Sequence, residues 1–570
     1  MRKQIYKKIN IFGGFVILVF LLFFSPLSAT GVTWEDGRMT IDYSTEVYYE
    51  EVYGNVDRSN LDIDNDNYPH KHHDNWHYNE SLRFRLDQKI SEKIALEFYA
   101  YVRNTTDKQI MDHRWYLLQI YLRLYGDDFE LAVGDVSDYY TKYSFNNTFL
   151  GVKAWYKPSP SFKFMALVGQ NREPWDDEYR HTFAGGRVEY TPKSEYLFGM
   201  TYLHDEVTWL YWRVRENPDY NSNVKDYSND VMSADFRVKL LDRTLLVKGE
   251  GAWSYYHEDR RDNLADAYDG WAAYVEVDYR PIRSLKLSFD YEYVEPDFVT
   301  VMGTAARDRE TFKGEVRYTP SSSLKLWAEY KYTRNLLDLD SDARYRTYRS
   351  YYETGVEYRP FYETEGYFQR LKLKLQGKLY SSYSNDSPRS VDKDTYDLSF
   401  IVSNRYDTMY YSLEYRLRYT NDHTTDGTDR MSNSFAAKWG YTFDALNLGW
   451  DISCGYKFEY KTTWEYGPYQ LYEDYVHILD AGLGVTYEPT KTTLTLSYLG
   501  ILSHLEGSDR YNTRRNSTKA ALEQVLYEND TITSTLVLSF ENMDYHTDDT
   551  GNSYGENIYK ATLNLSLIHI

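Results

Sequence analysis

Long apolar runs are nearly absent from this 570-residue chain. The exception, Ile11 to Phe24, carries no charge and follows the basic residues Arg2, Lys3, Lys7 and Lys8. It is shorter than the roughly 18 apolar residues of a helical span, so a retained anchor is the weaker reading and helical insertion elsewhere is excluded. With small residues at Ser25, Ser28 and Ala29, the stretch has the make-up of a secretory signal cleaved after Ala29 or Thr30. Residues 1–29 are thus expected to be removed, and residues 30–570 to leave the cytoplasm.

Other scarcities narrow the class further. Cys454 is the one cysteine, so an exported chain of this length is not held by intrachain disulfides. Without Cys-x-x-Cys-His it cannot itself attach c-type haem. Hydrophobic residues make up 42% and mean hydropathy is −0.68, too little aliphatic material for several soluble cores. Basic charge is outnumbered, 65 Lys and Arg against 86 Asp and Glu, and the net −21 argues against a nucleic-acid partner. No G-x-S-x-G, H-E-x-x-H or phosphate loop occurs. Catalysis would need scattered Ser, His and Asp to meet in space, and the chain is read as a non-enzyme.

Aromatic residues, in contrast, reach 18%, with 62 Tyr and 13 Trp, and apolar and polar residues alternate strictly. Leu285 to Tyr293, Met409 to Tyr419, Leu371 to Leu379 and Leu118 to Leu124 all do so. Period two belongs to strands with two different faces. Counting such segments from Met39 onward predicts about 26 strands, with 22–28 allowed, each long enough to cross a thin membrane when tilted.

The links alternate between long and short. Gly54–Asp74, Val207–Asp230, Val294–Arg307 and Asn542–Asn557 are long and rich in Asp, Asn and Gly. Short ones repeat the phrase Tyr-x-Pro, ending at Pro158, Pro192, Pro281, Pro320, Pro360 and Pro489. Proline ends a ladder, and tyrosine suits a membrane–water interface. Together these features predict an all-β fold: a single large up-and-down antiparallel transmembrane β-barrel with short periplasmic turns and longer outer loops. Its setting would be the lipid of the bacterial outer membrane. A soluble β-rich surface protein is the rival, disfavoured because sandwiches pack aliphatic inner faces.

Function in a barrel lies on the lumen face. The alternation assigns to it Arg83, Arg85, Arg123, Glu276, Asp278, Asp290, Glu292, Lys325, Glu329, Lys331, Lys372, Lys374, Glu414, Arg416 and Arg418. So many charges of both signs require a wet lumen or a polar surface pressed against it. Barrels of about 22 strands are already plugged. A wider one therefore needs inward loops, a flattened wall or a second protein.

One long link gathers Asp62, Asp64 and Asp66 with His70, His72, His73 and His77. Imidazoles at this spacing are candidate zinc or copper ligands and the carboxylates candidate calcium ligands; a solvated loop is the plainer reading. The acidic links also predict that divalent cations bridge them to an anionic lipid leaflet. No cofactor is expected in the chain. Cys454 shares its register with Trp450, Ile452 and Tyr456, the apolar face, and is expected to face lipid.

The alternating strands, Tyr-x-Pro turns and aromatic strand ends resemble large porin-like outer-membrane barrels over the whole mature chain. The stretch from Gly134 to Lys153 looks like segments of the barrels that sheathe multihaem cytochromes in porin–cytochrome conduits. That resemblance implies either a channel for solutes or an insulating sleeve around a lumenal or periplasmic partner. A structural or surface-display barrel is the third possibility. The ending Leu565-Ser-Leu-Ile-His-Ile570 departs from the Phe or Trp usual in such barrels. It matches one reading frame of a transposon end used in sequencing libraries, so these last residues are expected to be non-native.

Overall fold

Alternation puts successive side chains on opposite faces of a strand, and in the computed structural model the segments join into one sheet. The structure describes residues 37–54, 75–106, 115–171, 181–207, 227–260, 266–335, 345–425, 427–465, 471–507, 512–529, 531–547 and 553–569. The first strands are β1 (Gly37–Gly54), β2 (Asn75–Ser91), β3 (Ile94–Thr105), β4 (Trp115–Gly126), β5 (Phe129–Thr141), β6 (Phe145–Ser159) and β7 (Phe162–Asn171). Next come β8 (His181–Lys193), β9 (Tyr196–Val207), β10 (Ser228–Leu240), β11 (Leu245–His257), β12 (Ala267–Ile282) and β13 (Leu285–Val294). The second half opens with β14 (Arg309–Ser321), β15 (Leu324–Asn335), β16 (Thr347–Tyr358), β17 (Lys372–Ser384), β18 (Asp392–Tyr406), β19 (Met409–Asp422) and β20 (Thr428–Ala445). It ends with β21 (Leu448–Glu465), β22 (Leu471–Tyr487), β23 (Thr492–Glu506), β24 (Thr513–Glu528), β25 (Ile532–Thr547) and β26 (Tyr554–His569).

Each strand pairs antiparallel with its neighbours in sequence, and β1 pairs with β26 from Met39↔His569 to Gly54↔Tyr554. The sheet is therefore a closed up-and-down barrel of 26 strands, the number the alternation predicts. Closure removes both edges, which hydrocarbon would otherwise leave unsatisfied. Leu565, Ser566 and Leu567 stand in the closing ladder opposite Tyr43, Asp42 and Ile41. The outward face carries Leu131, Val133, Phe164, Met200, Phe289, Leu375 and Leu413, all exposed. A continuous apolar band of this kind has lipid as its solvent. Cys454 is exposed between Trp439 and Ala481 of the adjoining strands.

At one end, the links after even-numbered strands are two to four residues long, except for residues 359–371 between β16 and β17. All six Tyr-x-Pro phrases lie at this end. Four of them make the same irregularity: the ladder skips between Tyr156 and Ser159, Tyr190 and Lys193, Tyr279 and Ile282, and Tyr318 and Ser321. Proline has no N–H to give, so pairing resumes one residue past it. The residue before each proline donates instead to the preceding turn: Lys157 N to Asp128 O (2.8 Å), Thr191 N to Ser161 O (2.7 Å), Arg280 N to Thr244 O (2.8 Å), Thr319 N to Ser284 O (2.7 Å) and Arg359 N to Ser323 O (2.7 Å). The phrase thus stitches neighbouring turns along the rim. Pro489 departs from this, opening a single 3₁₀ turn, Glu488–Thr490.

Candidate functional site

The lumen face follows from register. Glu276 stands opposite Asp290 and Asp278 opposite Ser288, while Phe289 and Val277 share the other face. By the same alternation Arg83, Arg85, Arg123, Glu292, Lys325, Glu329, Lys331, Lys372, Lys374, Glu414, Arg416 and Arg418 lie on the face away from the apolar band. Most of these charges are paired across strands. Glu97 takes Arg85 (3.1 Å) and Arg123 (3.4 Å), and Arg123 reaches on to Glu130 (2.8 Å), which also takes Lys153 (3.4 Å). Further round, Lys248 meets Glu276 (2.8 Å), Lys286 meets Asp278 (2.9 Å), Lys313 meets Glu329 (3.5 Å), and Arg416 binds Asp397 (Nε 2.9 Å). Trp327, also inward, lies between Lys325 (5.8 Å) and Lys374 (5.5 Å).

Between β5 and β13 the lumen face changes character. Val136, Phe145, Phe149, Leu167, Phe183 and Leu203 are buried there, although the wall has no second layer outside it. The chain itself covers them. Pairing of β5 with β4 stops at Tyr121↔Gly134, and that of β6 with β7 begins at Phe149↔Asn171. Residues 137–148 pair in the sheet only with each other, as the tip of the β5–β6 hairpin. The pivot is Gly134, at φ +113° opposite Gly151, where an added Cβ would lie 2.2 Å from Ile120 O. Any other residue would force the strand back off the wall. At the departure point the Asp135 carboxylate accepts the Ile120 N–H (2.7 Å), replacing the lost ladder bond.

The tip crosses to distant strands. Tyr143 is fully buried; its N–H donates to Glu250 of β11 (3.3 Å) and its hydroxyl to Glu292 of β13 (3.2 Å). Lys142 pairs with the same Glu292 (2.5 Å). Strands lie about 4.8 Å apart, so β6 and β13 are separated by roughly 34 Å along the wall. A short turn spans that distance only as a chord through the lumen.

The long link between β13 and β14, residues 295–308, meets the hairpin inside. Asn146 N donates to Met302 O (2.9 Å), Thr304 N to Lys142 O (2.9 Å) and Thr300 Oγ1 to Tyr143 O (2.7 Å). The link is held to the wall by Ser254, whose Oγ accepts from Val299 N (2.9 Å), and by the buried Asn229, which donates to Val299 O (3.0 Å) and accepts from Val301 N (3.3 Å). Phe298 seats against Gly270, where a Cβ would come within 2.3 Å of its nitrogen, and edge-on to Tyr143 (5.7 Å). Hairpin and link form one inward body on the β5–β13 side, opposite a charged wall.

The residues of this body are not among the charges that the alternation singles out. The signal the sequence carries for it is the Gly134 and Gly151 pair at the root of the hairpin. The candidate metal ligands His70, His72 and His73, like Asp62, Asp64 and Asp66, lie outside the described residues. His77 sits in β2 with its ring stacked on Tyr48 at 5.1 Å. Among the described residues no three His, Cys, Asp or Glu side chains are grouped as a metal site.

No protein-family model and no curated protein matches the chain. Among solved structures it is similar to the translocation pore of the P pilus usher PapC, at 9% identity and a TM-score of 0.40, covering 93% of this chain and 99% of that one. It is also similar to OccK5 (OpdH) of Pseudomonas aeruginosa, at 10% identity and TM-score 0.34, covering 68% and 98%. OccAB3 of Acinetobacter baumannii gives 11% identity and TM-score 0.32, covering 67% and 99%. The class of the fold rests on the closed ladder and the apolar band. The chain is a closed transmembrane β-barrel. Among its described residues no helix is long and apolar enough to cross a membrane.

Proposed function

We propose that the chain is a passive outer-membrane channel that narrows its own lumen. The observation supporting this reading is the chord formed by Tyr143 and the 295–308 link, which partly occupies the interior while leaving a wall of paired charges for water and polar solutes. A barrel of 26 strands is too wide to serve as a selective pore when empty. An inward body built from its own hairpin supplies the restriction. In this reading the short Tyr-x-Pro turns face the periplasm and the acidic long loops face outward, where divalent cations bridge them to anionic lipid. The chain needs no cofactor.

The test is conductance across a planar bilayer, using the refolded chain and a variant whose residues 137–148 are replaced by a two-residue turn. The intact chain should conduct steadily, and the variant should conduct several-fold more. Purification from the native membrane supplies the opposing outcome. A haem absorbance band with a multihaem cytochrome in fixed ratio would make the barrel a sleeve. Absence of both conductance and partner would leave a structural barrel.

A further inference from the structure

The one long connection at the short-turn end, residues 359–371, is folded rather than looped out. Successive turns bond Tyr362 N to Arg359 O (3.3 Å), Thr364 N to Phe361 O (3.1 Å) and Leu371 N to Phe368 O (2.9 Å). Phe361 contacts Phe368 (5.9 Å), and Tyr367 contacts both Phe368 (4.9 Å) and Tyr406 at the end of β18 (5.4 Å). Between this link and the ends of β17, β18 and β19 lies a recess of about 900 Å³.

Its lining is basic in a strongly acidic protein. Arg359, Arg370, Lys372 and Arg405 line it together with Asn404 and Tyr410, and no carboxylate does. Arg359 is engaged by Glu357 (2.9 Å). Arg370, Lys372 and Arg405 make no ion pair among the described residues. Lys372 stands opposite Ser403, and Ser403 opposite Ser412, so two hydroxyls adjoin the lysine on the lumen face. Arg405, two residues past Ser403, lies on the same face opposite Tyr410.

We propose that this recess binds a small multivalent organic anion. Guanidinium and ammonium groups take carboxylate or phosphoryl oxygens in charge-assisted hydrogen bonds, and Arg370, Lys372 and Arg405 supply three such groups around one volume. The volume suits a ligand of that size. The site lies at the lumen mouth, beside the short turns, away from the inward hairpin. It does not rest on the channel reading, because binding is measured in detergent without any conduction.

Citrate is the probe, titrated calorimetrically into the refolded full-length barrel at low salt, with glucose as the uncharged control. Citrate should bind once per chain with a Kd below about 1 mM, and glucose should give no heat. Arg370→Gln and Arg405→Gln, each retaining heat-modifiable migration, should weaken binding roughly tenfold. In the unmodified chain, citrate should slow amine-reagent labelling of Lys372, read by mass spectrometry, and leave exposed Lys157 unchanged. Absence of citrate heat, equal binding by the two variants, or unprotected Lys372 would overturn the proposal.

Discussion

Arg187 illustrates how this lumen handles a buried charge. It is 4% exposed and grips Asp235 through Nη1 (2.5 Å) and Nη2 (3.0 Å), with Glu189 (2.9 Å) and Thr201 (3.1 Å) completing its donors. The fork reaches from β8 to β10 across β9, and Gly199 makes the crossing possible: a Cβ there would sit 2.4 Å from Arg187 Nη2. Removing one partner of such a pair strands the other, at about 3–5 kcal/mol. Arg187→Met should therefore lower the urea midpoint of the refolded barrel substantially. The double variant Arg187→Met, Asp235→Leu should recover much of that loss, because both charges are then gone. Equal midpoints for the two variants would mean that the pair contributes little. Gly199→Ala should destabilise through the same contact, whereas Gly377→Ala, with nothing within 4 Å of its added Cβ, should be neutral.

At the scale of elements, the inward body depends on glycine at two places where backbone passes close to backbone. Gly270→Val would place side-chain atoms where Phe298 N now lies, so the 295–308 link must lift from the wall. Channel conductance should rise toward that of the hairpin-shortened variant, while unboiled gel migration stays that of a folded barrel. Unchanged conductance would show that the link does not set the aperture. The strands themselves were legible in the sequence because the alternation is local: each residue's face depends on its neighbours two positions away. Tyr-x-Pro was legible for the same reason, although its turn-to-turn hydrogen bonds were not. The inward hairpin was hidden because Val136, Tyr140, Phe145 and Phe149 read as ordinary strand residues. What distinguishes them is their contact with Phe183, Leu203 and Met302, and contacts between residues so far apart in sequence leave no periodic trace. The recess beside β17 was equally illegible. Pro360 carries the same phrase as the other turns, and only the structure separates its long folded link from theirs.

For the whole molecule, stability is a matter of closure. Every ladder but one joins strands adjacent in sequence; the exception is β1 with β26, which brings the two ends of the described chain together. Within it Ser566 Oγ donates to Asp42 (2.5 Å) and Ser44 Oγ to Asn564 (2.7 Å) on the lumen side, while Leu565 faces outward. Ala561 sits mid-seam, opposite Val47 on one side and Leu538 on the other. Proline there would remove a ladder donor and press its ring on the neighbouring strand, with no water in the hydrocarbon layer to compensate. Each unsatisfied group in that setting costs several kcal/mol, and an opened seam exposes two whole edges rather than one group. Ala561→Pro should therefore fail to reach the detergent-resistant form, running identically boiled and unboiled. Lys560→Gln, one residue away, removes the ion pair to Glu46 (3.2 Å) and the cation–π contact with Tyr48 (5.5 Å) but no ladder bond, and should migrate like the parent. If Ala561→Pro also kept heat-modifiable migration, the seam would not be the last step that locks the barrel, and its stability would have to reside in the hairpins taken singly.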